Sequence, residues 1–498
     1  MMITQGKEIF RKYTDEETFS RIVEYSSISE MWKHSVEEYG DEIAVEYDGV
    51  KHTYREIEDD VASFRGLLPE GSKTIGLLAS NSYDFVKGLL AITTSGNCAV
   101  VLPAFLDEKT VFGCTMKFSM DALVYQDAME AKTSIVKAKQ NVKTISLNEK
   151  AEETKGMVDV DPKAGCVVMF TGGTTGQSKG AKLSNEAVMQ GVVNGCYGYK
   201  DVFRQRYLLV LPLSHVFGLI RNLLTSLYTG SAIYICKNNQ DMFKDIAMFR
   251  PTILVVVPAL AEMALSLSKK FGKNMLGDSM KYIICGAATV SPYLVGEYKK
   301  YGIALFPGYG LTETANLVSG NPESDKKPES VGIPYPNQEF RIENGELWLK
   351  GKNMMDGYIG EDNSLYYENG WFKTGDLVRF DDEGFLYITG RIKEIIVLPS
   401  GENISPAEVE GIFNEFSGIQ DCQVFEDLNE KGDHILALEV VPRATEIAKI
   451  ENPGEYITSE LEKINSSLPS FKRVSRIVIR DTDFERTPSM KIVRYHKC

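Results

Sequence analysis

The sequence predicts an α/β protein. A large multi-sheet N-terminal domain with a small antiparallel, β-barrel-like part is followed by a smaller α+β C-terminal domain. Three observations point there. The chain has 498 residues, roughly two to three times an ordinary domain. Through the first 310 residues, short apolar runs alternate with amphipathic stretches, the signature of strands and helices in largely parallel sheets. Beyond about residue 320 that alternation gives way to short strands separated by Asn-Gly and Glu-Gly turns.

In chain order, the strand candidates are 74–78, 99–102, 122–125, 166–170, 207–211, 232–235, 253–257 and 281–284. Helical segments such as 83–93 and 260–270 lie between them. The antiparallel portion, about 320–390, holds candidates at 340–342, 346–349, 371–374, 377–380 and 386–389. A domain boundary is expected between 389 and 395, dividing the chain into 1–390 and 391–498. The second unit opens with a helix at Ser405-Pro406, serine as N-cap and proline at the first helical position. A strand at 435–441, a helix around 456–467 and a strand at 476–480 complete it. No internal repeat of tens of residues is visible.

Composition narrows the function classes. Hydrophobic residues make up 43% and charged residues 25%, an ordinary globular balance that excludes disorder. The net charge of −14 repels polyphosphates at long range, so nucleic-acid binding is not expected. An anionic ligand needs a local site that overrides that field. The eight cysteines are scattered without a Cys-x-x-Cys pair, which suggests reduced thiols in a cytoplasmic setting. The N-terminus is too polar for a signal peptide. The apolar runs at 208–213 and 253–260 are too short to span a bilayer.

The most informative segment is Thr171-Gly172-Gly173-Thr174-Thr175-Gly176-Gln177-Ser178-Lys179-Gly180, which follows the apolar strand candidate ending at Phe170. Glycines let backbone N–H groups approach an anion, while hydroxyls and a lysine add donors, so phosphate is the expected guest. A flexible glycine-rich turn is the plainer alternative. The spacing does not fit a Walker loop. Further along stand Leu211-Pro212-Leu213-Ser214-His215, Cys285-Gly286-Ala287-Ala288-Thr289 and Gly308-Tyr309-Gly310-Leu311-Thr312-Glu313-Thr314. In the last of these, Tyr309 offers a ring to a base, Thr312 a hydroxyl to a phosphate, and Glu313 a hard oxygen to Mg2+. By itself it could be a polar turn. Trp371-Phe372-Lys373-Thr374-Gly375-Asp376, Gly390-Arg391-Ile392-Lys393-Glu394, Ser400-Gly401-Glu402-Asn403 and Arg486-Thr487-Pro488-Ser489-Met490-Lys491 follow.

Taken together and in this order, these segments resemble the motifs of the adenylate-forming (AMP-binding) enzyme superfamily, over about residues 20 to 495. Fatty acyl-CoA synthetases are the nearest members. The resemblance implies that Thr171–Gly180 is the phosphate loop and that His215 shapes a carboxylate pocket. It places Gly286, Ala287 and Ala288 against the adenine, beside Tyr309 and Gly310. Glu313, helped by Thr171, becomes the Mg2+ ligand. Asp376 and Arg391 are assigned to the ribose, Lys393 to a hinge, and Ser400, Gly401 and Glu402 to a thiol tunnel. Lys491 becomes the adenylation lysine, carried by a mobile C-terminal domain. Ser178, Met490 and Glu394 depart from the usual proline, glycine and aspartate. None of the three removes a required group.

The expected function is therefore an ATP- and Mg2+-dependent ligase. It would join a carboxylic acid, a medium- or long-chain fatty acid on this resemblance, to CoA through an acyl-adenylate. No carrier domain follows Lys491, so a diffusible thiol is expected. A separate carrier protein is the alternative acceptor, and a non-catalytic nucleotide-binding regulator is the alternative of another class. Arg221, six residues after His215, is expected to be a surface or interdomain charge. Were it to point inward, a second substrate carboxylate would become plausible.

Overall fold

The computed structural model describes residues 2–139, 142–171, 179–398, 402–429, 432, 434–487 and 492–494. Its first large sheet has seven strands, in the order Gly357–Tyr358, Gly180–Ser184, Gly165–Phe170, Cys98–Leu102, Thr74–Leu78, Ala122–Tyr125, Lys143–Ser146. The pairings from Gly165–Phe170 to Lys143–Ser146 are parallel. The strand Gly180–Ser184 pairs antiparallel with Gly165–Phe170, the strand before it in the chain.

The second large sheet has nine strands. Six of them are mutually parallel: Ala304–Leu311, Tyr282–Cys285, Ile253–Val256, Arg206–Leu209, Ala232–Ile235 and Ile43–Tyr47. Their β-branched and aliphatic residues are buried on both faces, as a sheet covered by helices on both sides requires. The helices start where short polar side chains cap them. Ser82 accepts the Phe85 N–H at the head of Tyr83–Thr94. Helix Pro258–Phe271 begins with proline and ends at Gly272, whose φ of 63° is the left-handed stop.

A third, antiparallel sheet of six strands is built mainly from residues 338–391. Two features differ from the sequence expectation. The candidates 371–374 and 377–380 form one strand, Trp371–Phe380. Gly375 at φ 73° absorbs an irregularity inside it, so the ladder resumes instead of turning. Its other edge is Met2–Thr4, paired with Gln338–Glu343 across the length of the chain. The candidate at 207–211 also stops early, at Leu209, where the chain leaves the sheet.

One core joins the two large sheets and their helices. A separate core runs from Ile404 to Val474 and supports a three-stranded sheet of Ile419–Leu428, His434–Pro442 and Arg476–Ile479. Between the two cores, Ser405 caps the helix Pro406–Phe413 and also donates its hydroxyl to Thr389 O at 2.6 Å. A Cβ on Gly390 would lie 2.1 Å from that hydroxyl, so only glycine permits the approach. The smaller unit rests on the larger through a buried ion pair, Arg443 Nε to Glu262 Oε1 at 2.7 Å. Beside it, Lys269 bonds Glu446 and Glu297. Among the described residues, no helix is long and apolar enough to cross a membrane.

Candidate active site

In an open parallel sheet, ligands gather at the carboxyl ends of the strands, where loops diverge. The predicted residues stand there in the nine-stranded sheet. His215 follows the strand Arg206–Leu209, Gly286 follows Tyr282–Cys285, and Tyr309 and Gly310 end the strand Ala304–Leu311. The Gly286 Cα faces Gly308 O and the Phe217 ring, which a Cβ would approach to 3.1 and 3.4 Å. Ala287 has φ of +66°, a conformation costly for a residue with a Cβ. Ala288 is exposed beside it. The His215 Nδ1 accepts the Phe217 N–H at 3.3 Å, which orients the half-buried ring at the head of the next helix.

The Thr312-Glu313-Thr314 turn is held hard. Thr314 Oγ1 accepts the Leu311 N–H at 2.9 Å and donates to the carbonyls of Leu311 and Asn316. Immediately after it, Ala315 and Asn316 both have positive φ, 49° and 110°. Consecutive left-handed residues with side chains store strain, and such strain concentrates at functional sites. Thr312 is buried, and the Glu313 side chain is half-buried.

Two tyrosines that sequence reasoning missed join this turn to the threonine-rich loop. The strand Gly357–Tyr358 pairs with Gly180–Ser184 at the base of the loop. From there Tyr358 donates its hydroxyl to Glu313 Oε1. The Lys179 ammonium lies 5.1 Å from the Tyr358 ring centre and 4.4 Å from that of Tyr366, and it bonds the Tyr366 hydroxyl. Thr171 N–H donates to Lys179 O at 2.9 Å, closing the loop at its stem. Thr171, Lys179 and Glu313 therefore belong to one cluster. The assignments to Gly172, Gly173, Thr174, Thr175 and Gly176 fall outside the described residues.

Asp376 is the second anchor. Only 2% exposed, it accepts Tyr309 Oη–H at 2.6 Å on one oxygen and Arg391 Nε–H at 2.5 Å on the other. Burial pushes the Tyr309 phenol up, and the neighbouring Asp376 adds to the push. The Tyr358 phenol is raised by burial and by Glu313 in the same way. Both therefore stay protonated at neutral pH and act as donors. A carboxylate has about four acceptor positions. Asp376 thus keeps lone pairs for further hydroxyl donors, such as those of a ribose.

Arg391 ends the strand Leu386–Arg391 of the third sheet, and the remaining predicted residues follow it in the chain. Arg391 has a side chain 45% exposed, and Lys393 is exposed on the short turn Ile392–Glu394. Among the described residues, Glu402 Oε2 is buried without a hydrogen-bond partner. Ser400, Gly401 and Lys491 lie outside the described residues. The flanks of Lys491 are fixed: Arg486 and Ile492 form a β-bridge. Arg494 makes a two-pronged pair with Glu410 at 2.8 and 2.7 Å.

For magnesium, the donor set fits. Mg2+ is held by one or two carboxylates together with substrate phosphates, not by an all-protein cage. Glu313 supplies one hard carboxylate, with Tyr358 bonded to only one of its oxygens. Among the described residues, no group of three or more His, Cys, Asp or Glu side chains could form such a cage.

Arg221 departs from expectation. It is neither a surface nor an interdomain charge: its exposure is 0%. It sits within a π-helical run, Phe217–Leu224, that packs against the strands Arg206–Leu209, Ile253–Val256 and Asn316–Gly320.

Two core-bearing units, with these groups gathered at strand ends, define an adenylate-forming class of protein. The chain belongs to the AMP-binding enzyme family, whose model matches residues 32–359. The model of the AMP-binding enzyme C-terminal domain matches residues 393–497. The oxalate–CoA ligase of Arabidopsis thaliana is 30% identical over 356 residues, covering 67% of this chain and 67% of its own. A long-chain-fatty-acid–CoA ligase of Mycobacterium bovis is 24% identical over 505 residues, covering 86% and 82%. The o-succinylbenzoate coenzyme A synthetase of Bacillus subtilis, solved with ATP and magnesium ion, superposes with a TM-score of 0.76 at 23% identity. That match covers 93% of this chain and 98% of the other. Ligation of an acid to CoA is what these relatives share, and their acids differ.

Proposed function

We propose that the chain is an ATP-dependent acid–CoA ligase working through an acyl-adenylate. The observation that carries this reading is the cluster in which Tyr358 links Glu313 to the Thr171–Lys179 stem. Asp376 and Arg391 stand by Tyr309 as a second anchor.

A carboxylate oxygen of the acid attacks the α-phosphorus of ATP. The new P–O bond forms as the bond to the β-phosphate oxygen breaks, and pyrophosphate leaves. Both reactants are anions, so the site must hold them in line and offset their charge. Lys179 and the loop at 171–180 hold the departing phosphates. Tyr309 and Gly286–Ala288 receive the adenine, and Asp376 accepts the ribose hydroxyls. Thr312 donates to the α-phosphate. Bound on Glu313 and Thr171, Mg2+ supplies neutralisation of phosphate charge. Lys491 bridges the attacking carboxylate and the α-phosphate, and His215 positions the acid. In the second step a thiol sulfur attacks the acyl carbon, AMP leaves with the electron pair, and the thiol proton is released. The unit 391–498 turns about Lys393 between the steps, presenting Ser400, Gly401 and Glu402 for the second. The separate core from Ile404 to Val474 supports that division.

On the sequence resemblance alone the acid would be a medium- or long-chain fatty acid. The relatives' names span oxalate, succinylbenzoate and long-chain fatty acids, so a dicarboxylic acid is the second reading, favoured by the burial of Arg221. The test is pyrophosphate exchange into ATP across a panel of acids. Exchange that requires an acid supports the ligase. Nucleotide binding without exchange for any acid would favour a regulatory protein.

A further inference from the structure

Arg221 is among the largest fully buried side chains, and Nε, Nη1 and Nη2 all lack a hydrogen-bond partner among the described residues. The Tyr207 hydroxyl, also buried, has no partner either. Among the described residues, the groups acting on the guanidinium are the phenols of Tyr199, Tyr207 and Tyr335, and no carboxylate is paired with it. The guanidinium lies 5.3 Å from the Tyr199 ring centre, a cation–π contact that offsets part of the charge and satisfies none of its N–H donors. A buried charge without hydrogen-bonded counter-charge is among the costliest arrangements in a fold. Ringed by phenols and paired with no carboxylate, a guanidinium of this kind matches an anion.

Its position says which anion. The π-helical run begins at Phe217, whose ring faces Gly286 at the activating end of the site. Arg221 lies six residues beyond His215, four residues into the run that begins at Phe217. π-Helix is rare and is frequently found at functional sites. The helix packs on the strand Arg206–Leu209, which His215 follows, and on Ile253–Val256 and Asn316–Gly320. An acid held by its reacting carboxylate near His215 would extend along this helix toward Arg221.

Resting on the ligase reading above, we propose that Arg221, helped by the Tyr207 hydroxyl, binds a second carboxylate on the substrate. The acid activated is then an extended dicarboxylate, not a simple fatty acid. An unbranched monocarboxylate of equal length would set methylenes against the guanidinium and leave it unpaired. Sites built to bond a polar group reject the analogue lacking it.

The test uses the full chain, as wild type, Arg221→Met, Arg221→Lys and Tyr207→Phe. Acid-dependent pyrophosphate exchange is measured with succinate, adipate and suberate against butyrate, hexanoate and octanoate, and melting temperature is read in parallel. One dicarboxylate should exceed its matched monocarboxylate in wild type. Arg221→Met should lower kcat/KM for it by roughly a hundredfold, chiefly through KM, and raise use of the monocarboxylate. Because that substitution removes an orphan charge, the variant should melt at the same or a higher temperature. Arg221→Lys should retain part of the preference and Tyr207→Phe weaken it. Wild type that uses monocarboxylates as well as dicarboxylates overturns the proposal and leaves the ligase intact. So does a variant that melts lower with its acid preference unchanged, which would make Arg221 a packing residue. Exchange with none of the acids would remove the ligase reading and this inference with it.

Discussion

Replacing Arg443 by methionine tests how the small unit is held. Arg443 is 2% exposed and Glu262 9%, and Nε meets Oε1 at 2.7 Å, so solvent screens the pair little. The guanidinium also reaches Ser417 O and lies 3.8 Å from the Tyr293 ring centre. Methionine keeps much of the volume and removes the charge, leaving Glu262 alone in the interface. Stranding one member of a buried pair costs about 3–5 kcal/mol. The chain can escape that cost by parting the interface and wetting Glu262. A loss of about 3 kcal/mol would shift the ratio of docked to parted molecules by roughly a hundredfold. The Lys269–Glu446 and Tyr293–Glu446 bonds remain, so docking is weakened, not abolished. Burial already raises the Glu262 carboxyl above its ordinary value, with Arg443 pulling it back. Without Arg443 it rises further. Docking of the variant is therefore favoured below the ordinary carboxylate range and lost as pH climbs through the raised value. The assay is tryptic cleavage at the exposed junction of Arg391 and Lys393, with small-angle scattering alongside. Cleavage should accelerate at neutral pH and slow toward pH 5, and Glu262→Gln added to Arg443→Met should slow it at neutral pH. Equal cleavage and scattering in wild type and variant at neutral pH would refute the reasoning.

Three further outcomes are expected. Asp376→Asn should weaken AMP binding by roughly tenfold or more in calorimetry, since hydrogen bonds to a charged group contribute about 1.5–3 kcal/mol. It should do so without unfolding the protein, because Arg391 is half exposed and can reach water. Tyr358→Phe removes the donor to Glu313 and should change the magnesium concentration giving half-maximal exchange while leaving AMP affinity within about twofold, as the nucleoside anchor is untouched. Lys491→Ala should abolish adenylate formation and spare thioester formation from supplied acyl-adenylate, measured by single-turnover assays of each half-reaction. Equal loss of both would argue against alternation about Lys393.

The parallel strands were legible because burial on both faces leaves continuous apolar runs, as in Ile253–Val256. The strand Ile419–Leu428 is not legible in the sequence: Gln420, Asp421, Gln423, Glu426 and Asp427 interrupt its apolar residues, so no continuous run stands out. Gly375 falls in the gap between the candidates 371–374 and 377–380, yet pairing resumes beyond it. In the site, ordered motifs named Glu313, Asp376, Tyr309 and Arg391, and the structure brings Tyr309, Asp376 and Arg391 into direct contact. Tyr358 and Tyr366 were missed because a tyrosine carries no charge signal. Their role depends on a strand pairing, Gly357 with Lys182, between residues far apart in sequence. Arg221 was misplaced for a related reason. Arginine is seldom buried without a partner, and composition cannot show an exception to that rule.

The most direct test of the account is incorporation of labelled pyrophosphate into ATP by the full chain with magnesium, with and without an organic acid. The account predicts exchange that appears only when an acid from the panel is added and that disappears in Lys491→Ala. Exchange indifferent to every acid, or surviving that substitution undiminished, would contradict it.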